Sequence, residues 1–322
     1  MRKIGWLAVL AVLVLAATAF SLLRSWNGSG PAPRTLTVQI APGTSLAAAA
    51  VRLEELGAIG SASRFRLNAR LFGSDDPIKT GEFRVPARSS QSDILALLQG
   101  GKTVQRMVVI PEGYPSVLVH DALMRADGLT GTVPVPREGS VLPDSYAFER
   151  GDSRDEIIAR MQDAMRRYLG EAWAKRKPGI AVTTPEQAVT LAAIVEKETG
   201  KASERRTVAA VYANRLRLGM PLQADPTVIY PITKGRPLGR RILRSELNAK
   251  NGYNTYASPG LPVGPIANPG RASIDAVLDP APSKALYFVA DGTGGHVFAN
   301  TLAEHNANVR KWYAIRRARG EM

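Results

Sequence analysis

Hydrophobic positions along this chain fall into one unbroken run and two periodic patterns, and each predicts a different kind of element. From Ile4 to Leu23 there are twenty residues without a charge, preceded by Arg2 and Lys3 and followed by Arg24. As a helix rising 1.5 Å per residue, such a run crosses the ~30 Å hydrocarbon core of a bilayer. The basic residues before it predict that residues 1–3 form a cytoplasmic tail and that the chain after the span lies outside. A cleavable signal peptide is the competing reading, because Ala17-Thr18-Ala19 resembles a small-residue cleavage site. The length of the run favours an uncleaved transmembrane helix over residues 4–23. Residues 24–34, with Asn27-Gly-Ser-Gly-Pro-Ala-Pro33, have the composition of a linker free of core residues.

After the linker, alternation at period two and stripes at period 3.6 are interleaved. Leu36 to Ile40 reads as a strand, Ser45 to Leu56 as a helix stopped by Gly57, and Ala62 to Phe72 as a second helix. Gly81 to Val85 is a short strand ahead of Pro86, Ser92 to Gln99 a helix ended by Gly100-Gly101, and Val104 to Ile110 a strand. Over residues 35–105 this mixture resembles a small α+β module of the glycan-binding LysM type, and a spacer is the alternative reading. Further helices are expected over Ser116 to Ala126 and from Ser153 onward, where Ile157, Met161, Met165 and Trp173 form a core-facing stripe. Another runs from Glu204 to Leu218, capped by Ser203, ended by Gly219, and carrying an apolar face of Val208, Val211, Tyr212 and Leu216 or Leu218. A helix over Ala272 to Leu278, a hairpin of Ala285 to Ala290 with His296 to Phe298, and a basic helix from Leu302 to Arg319 complete an α+β fold.

One helix breaks the pattern in an informative way. Thr184 suits the N-cap, Pro185 the first helical position, and Gln187 the reciprocal half of a capping box, while Gly200 supplies a left-handed stop. At 100° per residue Leu191, Ile194, Val195 and Glu198 share one face, and Glu196 and Lys197 point elsewhere. A carboxylate on an apolar stripe is poorly solvated, and in the last turn the helix dipole disfavours its charge. Both effects favour the neutral acid that general-acid catalysis requires, so Glu198 is the candidate proton donor. The bland alternative is a solvated helix end with Glu198 paired to Lys201.

Binding chemistry is concentrated in loops. Pro111-Glu-Gly-Tyr114 and Glu138-Gly-Ser-Val-Leu-Pro-Asp-Ser-Tyr146 are turn-rich and carry carboxylates and aromatics, as cleft-lining loops do. Met220 to Tyr230 is an irregular stretch leading into a short helix, and it presents Gln223, Asp225 and Thr227. Local satisfaction of turn amides by Asp225 explains that residue equally well. Tyr253-Asn-Thr-Tyr256 runs into a Pro- and Gly-dense loop ending near Asn268-Pro-Gly270. Rings beside amides suit sugars, whose apolar faces stack while their hydroxyls need paired donors and acceptors; the alternative is a loop that merely plugs a core.

Composition narrows the classes. Hydrophobic residues are 45% and charged residues 22% of 322, the balance of a folded protein. There is no cysteine and only three histidines, so no thiolate site is available, and His120, His296 and His305 read as structural with no ligand partner at metal spacing. No cofactor is expected: Asp291-Gly-Thr-Gly-Gly295 lacks the spacing and following helix of a nucleotide loop. The net charge of +14 admits an anionic membrane or polymer as partner. Nucleic acid is discounted, because no nucleic-acid motif accompanies the charge and the basic residues are dispersed.

Taken together, Ile194-Val-Glu-Lys-Glu-Thr199, Asn214-Arg-Leu-Arg-Leu-Gly-Met220, Leu222-Gln-Ala-Asp-Pro-Thr-Val-Ile-Tyr230, Tyr253-Asn-Thr-Tyr256, Gly260-Leu-Pro and Tyr287-Phe-Val-Ala-Asp-Gly292 resemble the YceG-like family of endolytic murein transglycosylases. The resemblance implies a single-pass inner-membrane protein with its bulk in the periplasm or otherwise outside the cell. It implies a catalytic domain over residues 106–322 acting on peptidoglycan glycan strands, with peptidoglycan synthases as a partner class. It places the catalytic glutamate on Glu198 and a 1,6-anhydro end on the product. Glu138, Tyr146, Gln223, Asp225, Thr227, Tyr253, Asn254, Tyr256 and Asn268 are then the expected cleft lining. The alternatives are a wall-binding scaffold without activity and a muramidase-type hydrolase using Asp225 to activate water.

Overall fold

The computed structural model of the chain describes residues 2–321; Met1 of the expected tail lies outside the described residues. The fold is mixed α+β and divides into two compact units, Met1–Arg106 with Ala147–Gly151 and Met107–Tyr146 with Asp152–Met322.

The first unit opens with α1 (Arg2–Asn27), whose stretch Val9–Asn27 is long and apolar enough to cross a membrane. Along it Val12, Leu13, Leu15 and Phe20 are exposed. The helix continues past Leu23 into the stretch expected to be free of core residues. There Trp26 is buried, with its ring 6.5 Å from Phe65 and 6.3 Å from Phe72, and Ala32 is buried as well. One tryptophan carries enough apolar area to override the Gly, Ser and Pro composition around it.

Strand β1 (Leu36–Ile40) pairs antiparallel with β2 (Gly81–Val85), in a register running from Leu36 opposite Val85 to Ile40 opposite Gly81. Between them lie α2 (Leu46–Glu55) and α3 (Ala62–Phe72), with Ser45 and Ser61 as N-caps. Gly57, at φ +72°, ends the α2 turn in a conformation that favours glycine. Helix α4 (Gln91–Gly100) starts with a full capping box of Ser90 and Asp93. Val38, Ile40, Leu53, Phe65, Phe83, Ile94 and Leu98 fill one core.

In the second unit, α5 (Ser116–Arg125) lies in sequence between β3 (Arg106–Val109) and β4 (Ser145–Phe148). Helix α6 (Arg154–Ala174) buries Ile157, Met161 and Met165. It packs on α7 (Pro185–Glu198), which packs in turn on α8 (Arg205–Arg217). The short α9 (Asp225–Thr233) and α10 (Arg244–Leu247) precede a long irregular loop and α11 (Arg271–Leu278), which lies against both α7 and α8. The hairpin of β5 (Tyr287–Ala290) and β6 (His296–Ala299) and the closing α12 (Leu302–Ala318) follow.

Two terminal signals work differently from the sequence rule. Gly200 is not left-handed; α7 stops because Thr199 turns extended at φ −139°, ψ 128° while its N–H still donates to the Val195 carbonyl. Ser203 does not cap α8, whose N-cap is Glu204 in helical conformation without a side-chain bond. At its other end α8 follows the rule: Gly219 is left-handed at φ +65°, and the N–H groups of Gly219 and Met220 donate to the Leu216 and Arg215 carbonyls.

Candidate active site

Helix α7 enters the core of its unit nearly whole, since every residue from Ala188 to Val195 is buried. The Thr184 hydroxyl accepts from the Gln187 N–H, while the Gln187 side chain reaches one residue further back, accepting from the N–H and hydroxyl of Thr183. The start of the helix is thereby fixed, and so is the rotation that aims its last turn.

In that turn the two glutamates diverge. Glu196 accepts the Gly270 N–H at 2.9 Å and lies 4.0 Å from Arg205, so it ties α7 to the start of α11. Glu198 continues the face of Leu191, Ile194 and Val195 and is the first residue on it to regain partial exposure. It is not paired with Lys201, which instead pairs with Glu204 at 3.2 Å. Burial pushes the Glu198 carboxyl up to about 7, and the nearby charge of Asp225 adds to the rise. A hydrogen bond from the Tyr212 hydroxyl and the charge of Arg215 act in the opposite direction.

Tyr212 and Arg215 come from α8, and sequence reasoning passed over both as site residues. Val208, Val211, Tyr212 and Arg215 stand at i, i+3, i+4 and i+7, the same spacing that exposed Glu198 as a polar residue on an apolar face. The continuation expected through Leu216 or Leu218 fails at Leu218, which is 62% exposed. Arg215 is buried and spends its guanidinium on the chain: Nε donates to the Leu286 carbonyl at 2.7 Å, and Nη1 to the Leu222 and Pro221 carbonyls at 2.8 and 3.2 Å.

Asp225 and Tyr256 lie close enough to Glu198 for their charges to act on one another, and Gln223 is joined to this group through Arg215. Gln223 is held in the left-handed region at φ +53° by its N–H bond to the Thr255 carbonyl, and its Oε1 accepts from Arg215 at 3.3 Å. A side chain kept in that conformation costs on the order of 1 kcal/mol, which the surrounding bonds offset. Asp225 begins α9 without capping it; its Oδ1 accepts the Tyr256 hydroxyl at 2.6 Å.

A second group centres on Glu138. Its Oε1 accepts from the Ser116 N–H at 2.8 Å, the Ser116 hydroxyl at 3.0 Å and Asn268 Nδ2 at 3.2 Å; its Oε2 accepts the Tyr230 hydroxyl at 3.0 Å. Burial raises the Glu138 carboxyl, with the Ser116 and Tyr230 bonds working against it. Tyr253 joins this group through its ring, 4.8 Å from that of Tyr230. Both groups are borne on α9, Asp225 at its start and Tyr230 near its end.

The remaining expected cleft residues face inward or away. Thr227 is fully buried, bonded to the Ala224 carbonyl and the Thr255 hydroxyl. Asn254 is buried and donates to the Glu246, Leu247 and Ala249 carbonyls, closing the end of α10. Asn268, also buried, accepts the Val141 N–H besides donating to Glu138 and Tyr114. These three build the wall and leave no polar atom facing outward. Tyr146 stands apart, its hydroxyl donating to the Leu142 carbonyl at 2.6 Å. The histidines are engaged separately: His296 Nδ1 lies 2.8 Å from Glu204, His305 stacks on Tyr287, and His120 lies 3.6 Å from Asp121.

The YceG-like family model matches residues 38–311. An endolytic murein transglycosylase of Bacillus subtilis is 35% identical over 200 residues, covering 62% of this chain and 52% of that protein. One from Streptococcus pneumoniae serotype 2 is 27% identical, covering 85% of this chain and 58% of that protein. The chain thus spans about half the length of these curated relatives. The crystal structure of a yceG-like protein from Listeria monocytogenes superposes with a TM-score of 0.52 at 29% identity, covering 85% of this chain and 99% of that one. By this match over most of its length, the chain belongs to the YceG-like family.

Proposed function

We propose that this chain is a membrane-anchored lytic transglycosylase that cuts peptidoglycan glycan strands internally, with Glu198 as its general acid and base. The observation that carries the reading is Glu198 itself: a carboxyl raised to about 7, enclosed by protein yet reachable from solvent. An acid with that pKa is substantially protonated at neutral pH and returns easily to the carboxylate.

In the proposed reaction the Glu198 proton passes to the glycosidic oxygen between N-acetylmuramic acid and N-acetylglucosamine as the C1–O bond breaks. The muramoyl C6 hydroxyl oxygen then bonds to C1, and its proton returns to Glu198. No water is consumed, and a 1,6-anhydro ring closes the new end. Because the nucleophile belongs to the same sugar, the site has chiefly to hold that sugar in a reactive shape. Gln223, Asp225 and Tyr256 would contact it beside Glu198, with Tyr253 and Glu138 further along. Thr227, Asn254 and Asn268 would hold the loops behind them, and Tyr146 would steady its own loop.

Within the same reading, α1 is the single-pass anchor, with its N-terminus cytoplasmic and the chain beyond α1 outside. The apolar stretch Val9–Asn27 supports this. Residues 35–105 would be a LysM-like glycan-binding module, supported by short helices set between paired strands β1 and β2. Peptidoglycan synthases fit as partners of an enzyme acting on new strands.

The exposed carboxylate of Asp225 close to Glu198 favours one alternative, hydrolysis by an activated water. Mass spectrometry of products from purified glycan decides between them. Anhydro ends leave the products with the mass of the substrate, whereas hydrolysis makes them heavier by one water. Glu198→Gln should lower turnover by roughly 10²–10⁴-fold, and normal turnover in that folded variant would remove Glu198 from the mechanism.

A further inference from the structure

Helix α3 turns an unusual face outward. Its buried side consists of Ala62, Phe65, Asn68 and Ala69. At 100° per residue the opposite side has Leu67 and Leu71 at its centre, one turn apart, with Arg64 on one flank and Arg66 and Arg70 on the other. Leu67 is 48% and Leu71 54% exposed, and among the described residues none of the three arginines enters an ion pair. Asp75 and Asp76, beyond the end of the helix, line a hollow with Arg66, Leu67 and Arg70, and at the start of the helix the Glu54 carboxylate accepts the Ala62 N–H, so acids stand at both ends of α3 and, among the described residues, outside any ion pair with its arginines.

The position of α3 against α1 gives this face a meaning. Trp26 of α1 packs on Phe65 and Phe72, and Ser25 accepts from Asn68, so α3 is fastened where the apolar helix ends. Arg64 lines a hollow with Val14, Ala17, Thr18, Ser21 and Leu22, and a second hollow with Arg24 and Gly28. Its side chain therefore runs alongside the length of α1 that would lie in a bilayer. An arginine at that level requires phosphate or water at its head while its stem follows apolar surface.

We infer that α3 is a second membrane contact, a short basic amphipathic helix that lies on an anionic phospholipid surface where α1 emerges. Leu67 and Leu71 enter the headgroup boundary, and Arg64, Arg66 and Arg70 meet lipid phosphates. The inference rests on α1 being the membrane anchor. Its consequence is mechanical: a second contact fixes the orientation of the first unit to the membrane plane, which a single helix leaves free to rotate.

The chain contains no cysteine, so a single introduced thiol reports one place. The full-length protein, carrying either Leu71→Cys or Val12→Cys labelled with an environment-sensitive fluorophore, is reconstituted in phosphatidylcholine vesicles with and without phosphatidylglycerol. Nitroxide-bearing lipid and aqueous iodide serve as quenchers. The expected result is that the label at position 71 is quenched by nitroxide and shielded from iodide in phosphatidylglycerol vesicles. Combined Arg64→Ser, Arg66→Ser and Arg70→Ser should reduce that shielding severalfold, with the label at position 12 unchanged and the circular dichroism spectrum retained. Full iodide access at position 71 with position 12 still in lipid would overturn the inference and leave the anchor standing. Iodide access at both positions would overturn the anchor and the inference with it. Shielding of position 71 by added glycan strands, with no response to phosphatidylglycerol, would show this face to be a glycan surface and also overturn the inference.

Discussion

The hydroxyl of Tyr212 faces the carboxyl of Glu198 across the packed pair of α7 and α8 and favours its charged form. Tyr212 is buried, so this interaction is shielded from water. Tyr212→Phe keeps the ring and removes this stabilisation. Glu198 should then hold its proton to higher pH, and the alkaline limb of kcat/KM, where the general acid is lost, should move upward. A purely structural role for Tyr212 would lower the rate at every pH and leave the limb in place. A pH–rate profile of the variant separates the two.

The same raised pKa has a cost in stability with a definite sign. Folded Glu198 titrates at about 7, against an ordinary value of 4.5. Between those values the native state binds more protons than the unfolded state, so stability falls as pH rises through the window. The cost is absent below the unfolded pKa and fully present above the folded one, with a ceiling on the order of 3 kcal/mol. Glu198→Gln keeps the shape and cannot ionise. It should therefore melt above the parent protein at pH 8, with the difference shrinking toward pH 5. Equal melting shifts at both pH values would show that Glu198 is not buried at a cost.

Glu196, two residues away, should behave in the opposite way. Its side chain is 8% exposed and receives the Gly270 N–H, with Arg205 opposite. Glu196→Ala leaves a buried N–H without an acceptor and an arginine without its anion, at about 1–3 kcal/mol. Urea denaturation should record that loss, while the pH profile of the remaining activity stays where it was. A shifted profile would mean that Glu196 shares the proton chemistry.

What the sequence made legible follows from the range of each signal. Local rules placed β1, α3 and β2 at their observed limits, because caps such as Ser61 and stops such as Gly57 act within a turn or two. The odd position of Glu198 was legible for the same reason, as a polar residue at a core-facing spacing. Arg215 obeys that spacing too, but the leucines beside it mask the signal by offering an apolar continuation of the stripe. The contacts of Asn268 with Ser116 and Glu138 join positions 152 and 130 residues apart, and no local pattern encodes them. Thr227, Asn254 and Asn268 carry the residue types that bind sugar, yet these amides and hydroxyls serve loop backbone equally well, and only burial tells the two uses apart. Trp26 shows the converse: a single large side chain turned part of a linker-like stretch into core.

Arg215 offers the sharpest division between support and electrostatics. Its guanidinium serves the carbonyls of Leu286, Leu222 and Pro221 and the side chain of Gln223, holding the strained turn that precedes Asp225. Its charge also favours the carboxylate form of Glu198. Arg215→Met removes both functions. It should cost about 1–3 kcal/mol for the buried carbonyls left without a donor, and it should move the alkaline limb of activity upward. Arg215→Lys keeps the charge but cannot reproduce the planar fork, so stability should still fall while the limb moves less. Denaturant titration and pH–rate profiles of the two variants read these effects independently. If Lys and Met shift the limb equally, the charge of Arg215 has no hold on Glu198, and its part in the site is confined to fastening the loop.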